Sequence, residues 1–179
     1  GPLFYNFANP PAAKGNFYQG AADNFAIYRW AEAFDGNVGG KGLKLNKERF
    51  LFFGHSQGGT TGPIGLAYEE NLHAAVFSGT GGSLVYSLLN KTEPFDATIG
   101  IRIMLQEIET DEANPVLNLF QMYFDEVDPL NYGELYGRDP LPSGPIHVLA
   151  TYGHNDNFTP PATSRVFAAS LRGTVSQPQ

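Results

Sequence analysis

Residues 51–59, Leu-Phe-Phe-Gly-His-Ser-Gln-Gly-Gly, decide how this chain reads. The apolar run 49–53 (RFLFF) is short and nearly continuous, which is the pattern of a strand covered on both faces, as in a parallel sheet. Residues 58–70 read as a helix, with Pro63 tolerated near its start. Between them stands Gly54-His55-Ser56-Gln57-Gly58, a G-x-S-x-G motif in its strand–turn–helix setting. So tight a turn forces Ser56 into an unfavourable backbone conformation and projects its side chain above the sheet. Gly54 and Gly58 are expected to remove side chains that would collide with the neighbouring strand and helix. The helix N-terminus then points at Ser56, where the Gln57 N–H can stabilise a developing oxyanion.

Working outward, residues 73–78 (HAAVFS) and 146–152 (IHVLATY) are two further buried-strand candidates. Pro160 or Pro161 opens a last helix that runs to about Leu171. On the amino side, Pro10 and Pro11 are expected to block a helix. Asn16 is read as the cap of one reaching Phe34, with Phe17, Ala21, Phe25 and Tyr28 on its apolar face. A Gly- and Lys-rich connection follows over residues 35–47, with turns at Gly36, Gly39, Gly40 and Gly42. Strand, helix, strand, long excursion, strand, helix is the order of an α/β sheet. The excursion, residues 83–145, is too long for a plain connection and carries helical stretches at 101–108 and 116–127. It is expected to fold as a helical cap or lid insertion. The chain thus divides into a core with the serine turn (1–82), the cap (83–145), and a strand, acid loop and helix (146–179).

A serine hydroxyl needs a base to take its proton, and the base needs an orienting acid. Asp156, in Gly-His-Asn-Asp-Asn-Phe-Thr-Pro over residues 153–160, is the acid candidate. It follows the third strand at the carboxyl end, where ligands of open α/β sheets gather. An Asp there also suits a turn or a helix N-cap. Asp125, Asp128 and Asp139 are the runners-up, within the excursion. The four histidines are His55, His73, His147 and His154. None lies beyond Asp156, and none is placed by sequence to bridge it to Ser56.

The chain has 179 residues, 42% hydrophobic and 16% charged, enough for one ordinary domain with a core. Lys plus Arg number 11 against 18 Asp plus Glu, for a net charge of -7 and a pI near 4.9. Phosphate neutralisation carries most nucleic-acid affinity, so this balance excludes a nucleic-acid binder. No stretch approaches the roughly 18 apolar residues of a membrane span. With no Cys, disulfides and thiol chemistry are excluded, while the compartment and oligomeric state stay open. Gly79-Thr80-Gly81-Gly82 fails as a dinucleotide fingerprint at Leu84 and reads as a turn. His154 and Asp156 alone make a poor metal site, so no metal and no cofactor is expected.

LFFGHSQGG, HAAVFSG after it, VLATYGHNDNFTPP over residues 148–161 and the lead-in FYNFANPPAAKGNFYQGAADNFAIYRW over 4–30 together resemble the α/β-hydrolase superfamily, in its serine esterase and lipase branch, including large bacterial lipase-like hydrolases. The resemblance implies a three-layer α/β-hydrolase fold and a Ser-Asp-His triad in that chain order. Ser56 and Asp156 would be two of its members, acting on a small-molecule or lipid ester. It also implies about eight strands, of which this chain supplies three. The earlier strands and the second oxyanion donor are expected before Gly1, and the last strand and the catalytic His after Gln179. The chain is therefore expected to be an internal piece with negligible activity of its own. A sheet edge and the face of the Phe17 helix are expected to lack partners. The resemblance further implies a secreted or periplasmic location. The competing reading is a hydrolase-like scaffold that has lost its base and binds a ligand or partner.

Overall fold

A computed structural model describes residues 4–6, 9–38, 40–106, 109–141 and 143–172. Gly39 and residues 107–108 of the expected 101–108 helix lie outside them, as do Gly1 and residues 173–179. The first helix, α1 (Pro10–Ala33), begins seven residues earlier than the sequence reading placed it. Pro10 and Pro11 open it rather than block it, because a first-turn residue has no intrahelical acceptor for its N–H and proline's fixed φ suits the start. Asn9 is the cap, its Oδ1 accepting from Ala12 N at 3.3 Å, while Asn16 lies inside the helix and donates to Phe4 O at 3.1 Å. The connection that follows forms a small antiparallel ladder of β1 (Asn37–Val38) and β2 (Lys41–Gly42).

Next come β3 (Phe50–His55), α2 (Gln57–Leu66) and β4 (Leu72–Ser78). The excursion contains α3 (Leu84–Asn90), α4 (Ala97–Leu105) and α5 (Pro115–Phe124), then 3-10 stretches at Asp125–Val127 and Pro129–Tyr136. The chain returns through β5 (His147–Thr151) and ends in α6 (Pro161–Ser170). Among these, α3 and the 3-10 stretch at Pro129–Tyr136 lie outside the helical stretches expected at 101–108 and 116–127, although Asp128-Pro129 has the cap-and-proline form of a helix start. Pro63 falls seventh in α2, past the first turn rather than near the start, and its carbonyl accepts from the Tyr136 hydroxyl at 2.9 Å.

β3, β4 and β5 form one parallel sheet, as the strand–helix alternation predicts, and the structure sets their order as β3-β4-β5. Side chains alternate across it. Phe50, Phe52, Leu72, Ala75, Phe77 and Val148 face a core completed by Tyr28 of α1, Leu66 of α2, Tyr136 and Phe167 of α6. Phe77 is its centre, in edge-on contact with Tyr136 at 5.4 Å and Phe167 at 5.6 Å between ring centroids.

The opposite face holds Leu51 and Phe53, each 70% exposed, and Leu149, 57% exposed. The continuous apolar run of β3 is thus covered on one side only among the described residues. The face of the Phe17 helix, in contrast, is not short of partners. Phe17 and Ala21 are buried with Ile64, Phe124 and Val127, and Phe4 and Tyr5 pack against them.

A candidate active site at the carboxyl end of the sheet

Strand register brings the sequence candidates to one end of the fold. His55 pairs with Ser78 and Ser78 with Thr151, so the three strands finish level. The ladder continues past them through Ser56 N donating to Ser78 O (2.9 Å) and Gly79 N to Thr151 O (2.8 Å). Ser56, the Gly79–Gly82 turn and the Asp156 loop therefore share the carboxyl edge of the sheet.

Ser56 is exposed, with φ 53° and ψ -115°, a conformation that an L-residue adopts at a cost of about 1–3 kcal/mol. Its side chain makes no capping bond to α2, while its carbonyl accepts from Thr60 N at 3.0 Å. Gln57 is the first residue of α2, so its N–H belongs to the unpaired positive end of that helix.

The glycine argument holds at Gly54 and needs correction at Gly58. A Cβ at Gly54 would stand 2.5 Å from Phe52 Cε1 and 2.7 Å from Gly58 O, whereas one at Gly58 meets nothing within 4 Å. The second close approach belongs to Gly59, where a Cβ would lie 2.2 Å from Thr80 Oγ1. The helix enters the turn over Gly54 and leaves against β4, so residue 59, not 58, faces the sheet.

Asp156 is half-buried in the loop after β5. Its Oδ1 accepts from Phe158 N (2.9 Å) and Thr159 N (2.8 Å), so the turn role open to it is real, while the cap position of α6 is Pro160. Oδ2 accepts no hydrogen bond among the described residues. It points toward Gly79, where an added Cβ would be 3.7 Å from Oδ2 and 3.8 Å from the His55 ring.

The other carboxylates are differently engaged. Buried Asp128 accepts from Ser83 N (3.0 Å), Leu84 N (3.1 Å), Leu130 N (2.9 Å) and Gln121 Nε2 (2.9 Å). It thereby fixes the N-terminus of α3. Asp125 accepts from Gln121, and Asp139 is exposed in the loop leading into the amino end of β5. Of the histidines, His55 pairs with Ser78 Oγ at 3.2 Å and His73 with Asn71 O at 3.0 Å. His147 opens β5, and His154 is exposed in the acid loop. No hydrogen bond joins any of the four to Ser56 among the described residues.

A cavity of about 780 Å³ opens beside Ser56 and Gln57. Its wall is largely apolar, with Phe17, Leu88, Ile101, Phe120 and Phe124 from four helices. Phe120 and Phe124 of α5 thus face it. Met122 and Tyr123, which lie between them in α5, are exposed and do not line it. The charged lining residues are Asp128 and Lys91. The Lys91 ammonium donates to Phe158 O at 2.5 Å, and its pKa is lowered by desolvation against a smaller opposing pull from Asp156.

Among the described residues no three His, Cys, Asp or Glu side chains converge as a metal site, and no helix is long and apolar enough to cross a membrane. No protein-family model matches the chain, and no curated protein matches it. Among solved structures, it is similar to a puromycin-hydrolyzing peptidase of Mycobacterium tuberculosis, with a TM-score of 0.54 and 20% identity. The match covers 85% of this chain and 19% of that one, so this chain spans about a fifth of the peptidase's length. The likeness shows the fold: an α/β arrangement in which helices flank a three-stranded parallel sheet, as in part of an α/β-hydrolase.

Proposed function

We propose that the protein is a serine hydrolase acting on carboxylic esters, with Ser56 as nucleophile, Asp156 as the orienting acid and the Gln57 N–H as an oxyanion donor. The observation that carries this reading is the backbone of Ser56, strained at φ 53° beside a largely apolar cavity and ahead of a helix N-terminus. A fold keeps such a conformation where the exposed side chain has work to do. Ser56 Oγ attacks the ester carbonyl as a histidine takes its proton, and the tetrahedral oxyanion forms beside the Gln57 N–H. The histidine returns the proton to the leaving alcohol, and water then releases the acid by the same steps.

The histidine comes from outside these 179 residues and docks on Asp156 Oδ2, while Oδ1 stays locked by Phe158 and Thr159. Residues 83–145 act as the cap over the acyl pocket, and no cofactor takes part. In the peptidase likeness the same groups would cleave an amide, so the scissile bond is the part of the proposal that substrate profiling decides.

The test uses protein expressed from its complete coding sequence. A fluorophosphonate probe should label Ser56, and Ser56→Ala should abolish labelling and lower turnover by at least about 10³-fold. A wild-type protein that is neither labelled nor active would overturn the proposal and favour a hydrolase-like binding scaffold, and turnover that survives Ser56→Ala would overturn Ser56 as the nucleophile.

A further inference from the structure

The helix that lines the cavity also grips the loop carrying Asp156. Leu84, Ser87, Leu88 and Lys91 follow helical spacing along α3 and its C-cap, and all four line the cavity. Where α3 ends, Thr92 N and Glu93 N both donate to Asn157 O, at 3.3 and 3.2 Å. Beside them Lys91 Nζ donates to Phe158 O at 2.5 Å. The carbonyls of residues 157 and 158 thus bind the end of α3, while the amides of 158 and 159 hold Asp156 Oδ1. The loop is fastened on two sides.

Lys91 is itself anchored at both backbone atoms. Its N–H donates to Ser87 O at 3.0 Å, and its carbonyl accepts from Ala97 N at 2.9 Å. The ammonium therefore reaches the acid loop from a fixed base. Asp128, the other charged residue of the cavity wall, is occupied by its four donors, which leaves Lys91 as the charge held against the Asp156 loop.

We propose that Lys91 is a positioning residue for Asp156, clamping the 156–159 loop to α3 so that Oδ2 is held in place and the cavity wall and the acid are set by one helix. This inference rests on the serine-hydrolase reading for its catalytic meaning, although the clamp itself does not. A lysine could instead be a cation in the pocket that reads a carboxylate on the substrate, and the two roles separate cleanly. A clamp acts on every substrate through kcat, whereas a charge reader acts through KM on anionic substrates alone.

Lys91→Met keeps the stem and removes the ammonium. With a neutral ester, kcat should fall about tenfold, the scale of a small misplacement of a catalytic group, with KM within about twofold. Lys91→Arg should recover most of the loss, since it restores a cationic donor of similar reach. Independently of turnover, the Phe158 and Thr159 amides should exchange with solvent about tenfold faster in Lys91→Met than in the parent. That exchange is measured on a Ser56→Ala background. If Lys91→Met does not fold, Lys91→Gln serves in its place.

Unchanged exchange at Phe158 and Thr159 overturns the clamp. So does a KM increase confined to a carboxylate-bearing ester, which would make Lys91 a reader of substrate charge. If Ser56-dependent turnover is missing, the hydrolase reading fails, and the exchange measurement still decides whether Lys91 holds the loop.

Discussion

Two glycines of one motif, four residues apart, should respond in opposite ways to the same substitution. At Gly54 an added methyl would sit 2.7 Å from Gly58 O and 2.8 Å from Gly58 C. Both are backbone atoms of the first turn of α2, and neither can swing aside as a side-chain terminus can. Normal carbon contacts are about 3.5–4.0 Å, so relief requires moving β3 away from α2 or opening the turn. Overpacking of this kind costs about 3 kcal/mol, at the upper end of the usual range because the obstacle is backbone. For a domain of this size that corresponds to a fall in Tm of roughly 6–12 °C.

Gly58→Ala meets nothing within 4 Å and lies in α2, where alanine is the better helix former. It should be neutral or stabilising by about 0.5–1 kcal/mol. Urea or thermal unfolding of Gly54→Ala, Gly58→Ala and the parent, followed by circular dichroism, gives the comparison. Equal damage from both variants, or none from Gly54→Ala, would refute the close approach of turn and helix.

Phe77→Ala removes the centre of the core against Tyr136 and Phe167 and should destabilise by about 3–5 kcal/mol in the same unfolding assay. Asp128→Ala leaves three backbone amides and the Gln121 amide without their acceptor, so it should cost about 3 kcal/mol and loosen α3 in hydrogen exchange. Glu126 is held below its ordinary pKa, first by the Lys14 hydrogen bond and then by Tyr18, whose own pKa is pushed up to about 12. A carboxylate with a lowered folded-state pKa adds stability above its unfolded pKa and loses it as pH falls through the folded value. Stability measured from pH 6 to pH 3 should therefore decline less in Glu126→Gln than in the parent, and identical slopes would count against this ion pair.

Much of the fold was legible because its signals are local. An apolar run, a glycine–serine turn and a proline-led helix each follow from a few neighbouring residues, and the parallel three-stranded sheet follows from their order. The misread start of α1 is local too: two prolines break a helix interior yet suit a first turn, and Asn9 ahead of them was the signal available. The motif likewise marked Gly54 and Gly58, but which glycine needs its missing side chain depends on what packs nearby. Thr80 of the next strand's turn makes it Gly59.

By itself, then, the sequence determined the elements, their order, the serine turn and the loop carrying Asp156, because adjacent residues set backbone conformation and hydrophobic period. Only the tertiary structure decided the rest. Register levels the strand ends so that residues one hundred apart share an edge. The four donors on Asp128 and the grip of Lys91 on Phe158 span 45 and 67 residues at their farthest. Such contacts depend on where chain segments meet in space, and no local pattern of residue types encodes that meeting.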